Sequence, residues 1–275
     1  YLLKAKVCAD MAGSDNGSTY WGDVITATDA IINSGLFSLY NDYYSLFKYP
    51  GRLCNESLFE LQFGTGDHVR PGVFWDFQGP RGWQRGSSIS GWGFMTPSDA
   101  IVTFFTSRND TLRKRTTILY CGSTDVTYVT TPSGDQIWGN TDGLKYFNGK
   151  VYLPTSQMVD KNAGYGESNN VRVLRYADAL LLNAEAKIRK GQSGDTPFNL
   201  VRVRAKLSPI SGATLQNVLD ERRAEFACEW WGERYNDLIR TGTAATALSA
   251  YGFVAGQSEY LPIPLSQQAK NTNLK

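Results

Sequence analysis

Between Gly72 and Met95 the chain reads GVFWDFQGPRGWQRGSSISGWGFM, the stretch whose side chains are best suited to meet a ligand. Trp75, Phe77, Trp83, Trp92 and Phe94 stand among glycines and beside Asp76, Gln78, Arg81 and Arg85. Aromatics spaced by glycines do not all share one regular element, so some of them project from loops. A flat apolar ring can stack on a sugar face, and a few polar neighbours can then orient the hydroxyls. Trp75 and Trp83 are read as ligand contacts, with Asp76, Phe77 and Arg81 beside them. Trp92, in Gly91-Trp92-Gly93-Phe94, reads instead as a plug that seats this segment on the rest of the chain.

Catalytic chemistry finds less support. His68 is the single histidine, and a hydrolase triad drawn through it has no G-x-S-x-G elbow. Glycoside hydrolysis needs only two carboxyls at the right separation, and Asp76 among tryptophans could supply one. The insert offers no convincing second, because Asp99 follows Pro97-Ser98 at a helix start, where an acid serves the cap or the dipole. The chain is therefore read as non-catalytic and without a cofactor. Cys8, Cys54, Cys121 and Cys228 form no C-x-x-C pair, and with one histidine they make no zinc site. They read as mostly free, buried thiols, Cys228 as a small hydrophobe inside a helix. Arg108–Arg115 is a short basic run without stacking aromatics, a solvated segment rather than a nucleic-acid site. A net charge of +2 gives no reason to expect a polyanion partner.

A second charged stretch, Leu219–Arg240, reads LDERRAEFACEWWGERYNDLIR. Taken as one helix, it puts Leu219, Arg222, Phe226 and Trp230 on one stripe. A buried arginine needs a carboxylate, and Asp220, Glu221, Glu225, Glu229 and Glu233 are candidates, some at helical spacing. The pattern reads as a structural ion-pair lattice under bulky aromatics.

The elements that must carry these residues follow from periodicity. Leu3, Val7 and Met11 recur at helical spacing in Tyr1–Met11, and Trp21–Ser34 is a second helix stopped by Gly35. The two resemble one tetratricopeptide-type hairpin. From Phe37 to Asn170 the texture is rich in Gly, Pro, Thr and Tyr: a strand at Ser57–Phe63, a helix at Pro97–Phe105 capped by Thr96, and β-prone runs at Thr116–Cys121 and Thr127–Thr131. Long irregular inserts commonly carry recognition. Val171–Gly191 returns to helix, followed by Thr196–Leu207 and Thr214–Arg240. Pro262 and Pro264 argue against a helix in the tail from Tyr251. The expected division is a helix pair at 1–36, a loop-rich, ligand-facing insert at 37–170, a helical part at 171–241 and an extended tail at 242–275. No run approaches a membrane span, and Tyr1 onwards reads as the middle of a helix, so the chain looks like the C-terminal part of something longer.

Five segments carry a family resemblance. Asp220-Glu221-Arg222-Arg223-Ala224-Glu225 with Asp237-Leu238-Ile239-Arg240, Arg175-Tyr176-Ala177-Asp178 with Ala184-Glu185-Ala186, Val201-Arg202-Val203-Arg204-Ala205, Asn55-Glu56-Ser57-Leu58-Phe59-Glu60, and Tyr260-Leu261-Pro262-Ile263-Pro264 stand in one order. Together they resemble the SusD/RagB family of Bacteroidetes surface lipoproteins. The resemblance implies a mostly helical SusD-like fold of tetratricopeptide-like hairpins around a loop-rich insert with short strands. It also implies capture of an oligosaccharide, delivery to a SusC-like TonB-dependent transporter, and a lipid anchor to the outer membrane in a preceding N-terminal part. Peptide capture, a transporter scaffold with no ligand of its own, and a glycosidase remain as alternatives.

Overall fold

Leu2–Ala12 (α1) and Tyr20–Ile32 (α2) lie side by side because their small and apolar faces have somewhere to go. Leu2, Ala5, Ala9 and Ala12 meet Trp21, Val24, Ala27 and Ile31 in one core with Leu180, Leu181, Phe198, Val201 and Val218. The structure, a computed structural model, describes residues 1–63, 77–83, 89–158, 169–229, 232–271 and 273, with the backbone alone at Gly82 and Trp83. It is mostly helical. The hub is α6 (Tyr176–Arg189), buried along nearly its whole length. Against it pack α1, α2, α7 (Asp195–Arg204) and α8 (Leu215–Glu225). A capping box between Thr214 and Asn217 sets the start of α8.

The remaining elements are short. A one-turn helix, α3 (Tyr43–Leu46), precedes β1 (Ser57–Leu61), β2 (Gly82–Trp83) and β3 (Ser90–Gly91). Then come α4 (Asp99–Ser107), α5 (Thr111–Thr117), β4 (Ile118–Tyr120), β5 (Tyr128–Thr130), β6 (Gln136–Trp138) and β7 (Tyr146–Asn148). The strand β8 (Val171–Arg175) runs directly into α6, and α9 (Glu233–Arg240), α10 (Ala244–Leu248) and α11 (Leu265–Lys270) complete the chain. The strands pair antiparallel as β1 with β8, β2 with β3, β4 with β7 and β5 with β6. The first pair ties the insert to the helical part, with Ser57 opposite Arg175.

Several boundaries differ from the sequence reading. Val171–Arg175 is strand, because β1 offers it a partner that helical periodicity cannot reveal. The stripe Leu3, Val7 and Met11 faces outward, and α1 buries Leu2, Ala5, Cys8 and Ala9 instead. Small residues let α1 approach its neighbours closely, and a pattern search weighted to large apolar residues passes over them. The helix in the insert starts at Asp99 with Ser98 as its cap residue, and Thr116-Thr117 end α5 before β4 begins. Pro264 stands at the cap of α11, where a proline is tolerated. Among the described residues all four cysteines are free, Cys8 and Cys121 buried, Cys54 and Cys228 half-buried. Burial pushes the Cys121 and Cys228 thiols up to about 11, so both are protonated at neutral pH.

Leu219–Arg240 is two helices. Cys228 (φ 59°) and Gly232 (φ 64°) hold left-handed conformations that end α8 and start α9, so Cys228 sits in a turn. Charge gives the reason. Arg222 donates to Asp237 at 2.9 Å and to Glu233 at 3.3 Å. In a continuous helix residues eleven and fifteen apart would lie about 16 Å and about 22 Å away, so the chain must turn back for them to meet. Arg222 also reaches Asp178 of α6 at 2.6 Å.

The lattice extends through four of the five segments of the family resemblance, all but Tyr260–Pro264. Arg175 donates to Glu56 at 2.5 Å, Glu225 at 2.9 Å and Glu229 at 2.6 Å. Arg204 bridges Glu56 (2.8 Å) and Glu225 (2.5 Å). Arg113, fully buried, joins Asp110 and Glu221, each at 2.6 Å, to Glu225 at 3.3 Å. The run Arg108–Arg115 is thus only partly solvated: Arg113 is inside the lattice and Arg108 pairs with Glu221 at 2.7 Å. Arg240 closes the far side on Glu185 at 2.6 Å. Buried charges of this kind persist only when paired and hydrogen-bonded.

Candidate ligand-binding surface

Glycine spacing builds the aromatic surface. Gly91 and Gly93 press against the segment Gly79–Arg81: a Cβ on Gly91 would lie 2.6 Å from the Gly79 carbonyl carbon, and one on Gly93 would lie 2.8 Å from the Arg81 Cβ. Gly93 also holds φ 67°, open to glycine at no steric cost. The Gly93 N–H donates to the Gly79 carbonyl at 3.0 Å, and the Phe94 N–H donates to the Phe77 carbonyl at 2.7 Å. With the glycines against the backbone, the alternating residues Trp92 and Phe94 stand off it.

There they gather with Phe77. The Phe77 and Trp92 rings are 4.7 Å apart, Trp92 and Phe94 5.8 Å, and Phe77 and Phe94 6.3 Å. Their exposures, 37% for Phe77, 53% for Trp92 and 50% for Phe94, decide their role. Rings that leave between a third and just over half of their area to water are not buried in a core. Trp92 is therefore not the plug expected of it. That work falls to the buried Gln78, which accepts from Asn148 Nδ2 at 3.1 Å, while the same amide donates to the Cys228 carbonyl at 2.8 Å.

Of the other residues expected here, Arg81 is described and exposed, and it pairs with Asp142 at 2.8 Å. Trp83 is seen through its backbone, which pairs with Ser90 across β2 and β3. Trp75 and Asp76 lie outside the described residues, as does His68. Phe77 and Arg81 thus share one local unit with Trp92 and Phe94. Phe94 was among the aromatics of the candidate stretch but not named as a contact, and Asp142 had no role in the sequence reading. The i,i+2 spacing of Trp92 and Phe94 between glycines is the signal that points to Phe94. The Arg81–Asp142 pair joins residues distant in sequence, which no local pattern announces.

The loop after Asp142 leads to a recess of about 240 Å³ lined by Pro97, Asp99, Lys145 and Tyr146. Asp99 accepts from Lys145 at 2.9 Å and from Tyr146 at 2.9 Å. Those two hydrogen bonds, Lys145 first, hold the Asp99 carboxyl below its usual value. Further ring pairs of the insert include Tyr120 with Tyr146 at 5.3 Å and Tyr128 with Trp138 at 4.8 Å, and Tyr128 is exposed. The carboxylates described near the aromatic surface are thus in use, Asp142 by Arg81 and Asp99 by Lys145 and Tyr146. A glycosidase acid needs a raised pKa, and Asp99 is shifted the other way. Among the described residues no cluster of His, Cys, Asp or Glu could hold a metal ion. The arrangement is suited to stacking and hydrogen bonding.

Comparison with known proteins adds the following. The model of the SusD family matches residues 55–275. A SusD-like protein of Bacteroides ovatus is 29% identical over an alignment of 253 residues that covers 83% of this chain and 43% of that protein. The starch-binding protein SusD of Bacteroides thetaiotaomicron is 30% identical over 151 residues, 51% of this chain and 26% of the relative. Among solved structures, surface glycan-binding protein A from Bacteroides thetaiotaomicron in complex with laminarihexaose matches with a TM-score of 0.76 at 27% identity, over 97% of this chain and 61% of that one. Surface glycan-binding protein A from Bacteroides uniformis gives a TM-score of 0.74 at 27% identity, over 98% and 58%. The chain matches between 26% and 61% of the length of these relatives.

Proposed function

The chain belongs to the SusD family, and from that premise we propose that it captures an oligosaccharide without transforming it. The observation that carries the proposal is the cluster of half-exposed rings of Phe77, Trp92 and Phe94, with Arg81 and Asp142 alongside. Apolar ring faces suit the C–H faces of a pyranose, and the charged pair supplies donors and acceptors for its hydroxyls. Trp75, Asp76 and Trp83 belong to the same segment and are proposed as further contacts. Relatives named for starch and for laminarihexaose make a glucan the first ligand to try.

A site of a few rings and hydrogen bonds is weak. A dissociation constant near 1 mM corresponds to only about −4 kcal/mol, and ordering the ligand takes up part of the contact energy. We propose accordingly that the protein acts where many copies are displayed, at the bacterial outer surface on a lipid anchor, so that multivalency raises capture. The captured glycan would pass to a SusC-like TonB-dependent transporter.

The test is affinity electrophoresis of the protein across neutral and acidic polysaccharides, with the gel then assayed for released sugar. Retardation without release supports capture. Retardation with release would make it a glycosidase, and failure on every glycan would leave peptide capture or a transporter scaffold.

A further inference from the structure

A larger cleft lies on the other side of Pro97. It measures about 660 Å³ and runs between the start of α4 and the helices α8 to α10. Ile101, Ala227, Leu238 and Leu248 line it, Tyr251 stands at its rim, and two cations, Arg223 and Arg234, share it. The volume falls in the range of about 300–1,000 Å³ typical of small-molecule sites. Among the described residues its lining is mostly aliphatic and polar, with Tyr251 the one aromatic ring.

Arg223 and Arg234 differ from the arginines of the buried lattice. Arg113, Arg175, Arg204, Arg222 and Arg240 each hold two or more carboxylates. Among the described residues neither Arg223 nor Arg234 has a carboxylate within ion-pair distance, and Arg223 lies 4.0 Å over the Phe104 ring. The acids nearest in effect are Asp220 and Asp237. Asp237 already accepts from Arg222 and Arg240, and Asp220 accepts from the Gln216 amide at 3.0 Å. Burial, and for Arg223 also the neighbouring Arg234, holds both guanidinium groups below the ordinary arginine value.

We propose that this cleft binds a small organic carboxylate with an apolar body. The carboxylate would be held by Arg223 and Arg234, and the body would lie against Ile101, Leu238 and Leu248. Charge complementarity selects the class. A bound carboxylate satisfies two cations that protein acids leave unmatched, through charge-assisted hydrogen bonds stronger than neutral ones. A neutral molecule of the same shape buries the same apolar area but leaves both cations uncompensated. This site is independent of the aromatic surface and of the glycan reading.

Isothermal titration with cinnamate, and with cinnamyl alcohol as its neutral analogue, tests the proposal on the whole chain. One cinnamate should bind per chain, at least tenfold more tightly than the alcohol. Arg234→Gln should weaken it at least tenfold, and Ala247→Trp should block it by filling the cleft without touching the charges. Laminarihexaose binding by Arg234→Gln, measured alongside, should stay as in the wild type. No binding of cinnamate, equal binding of the alcohol, or cinnamate binding indifferent to both substitutions would overturn the proposal.

Discussion

Glu225 is the residue on which the buried charge converges, accepting from Arg113, Arg175 and Arg204. Burial alone would raise its carboxyl, but Arg204, Arg175 and Arg113 more than offset that and hold it well below its usual value. Removing it takes one carboxylate from each of three buried arginines: Arg113 keeps Asp110 and Glu221, Arg175 keeps Glu56 and Glu229, and Arg204 keeps Glu56. Glu225→Ala should therefore destabilise the protein by about 3 kcal/mol, read from denaturant unfolding. Trp92 should behave in the opposite way. Trp92→Ala removes a half-exposed ring, so stability should change by no more than about 0.5 kcal/mol, while glycan affinity should fall about tenfold, a loss of about 1.4 kcal/mol. Residue types made the lattice legible, because a buried arginine in a helical stripe needs an acid. They did not name its pairs. Arg175 and Glu56 are 119 positions apart, and only tertiary packing joins them.

Elements were legible where their own periodicity sufficed and not where a partner decided. The helix α2 and the core of α6 follow from apolar spacing, whereas β8 reads as helix until β1 pairs with it. The break between α8 and α9 is invisible in a charge pattern that continues across it. It is set by left-handed residues at 228 and 232 and by acids reaching back to Arg222. In the aromatic unit, the glycine spacing gave away that Trp92 and Phe94 are loop-borne, whereas Phe77 sits in a helical turn; it did not indicate which rings face water. Gly91→Ala tests the construction. Its Cβ would collide with the Gly79 backbone, costing about 1–3 kcal/mol of local strain. The β2–β3 unit should open, and glycan retardation should fall although no ring has been changed; amide hydrogen exchange at 90–94 would report the opening.

Across the whole molecule, acid should be the condition that undoes the fold. Asp178 and Glu185, like Glu225, would be raised by burial, but Lys6 and Arg222 for the first and Arg240 for the second keep them below their ordinary values of 3.8 and 4.5. Groups depressed in the folded state contribute stability that is complete above those ordinary values and is lost as the pH falls through them toward the folded ones. The melting temperature should therefore stay level from about pH 8 to pH 5 and fall steeply below about pH 4. Glu225→Gln should flatten part of that fall; a melting curve insensitive to acid would contradict the lattice as described. Four of the five segments that mark the family meet in this lattice, so family membership speaks first to how the fold is held, and ligand choice rests with the insert. The most direct measurement is affinity electrophoresis of wild type and Trp92→Ala side by side in a laminarin gel. Wild type should be retarded and Trp92→Ala should run nearly as in a gel without glycan. Equal retardation of the two would contradict capture on the Phe77–Trp92–Phe94 surface.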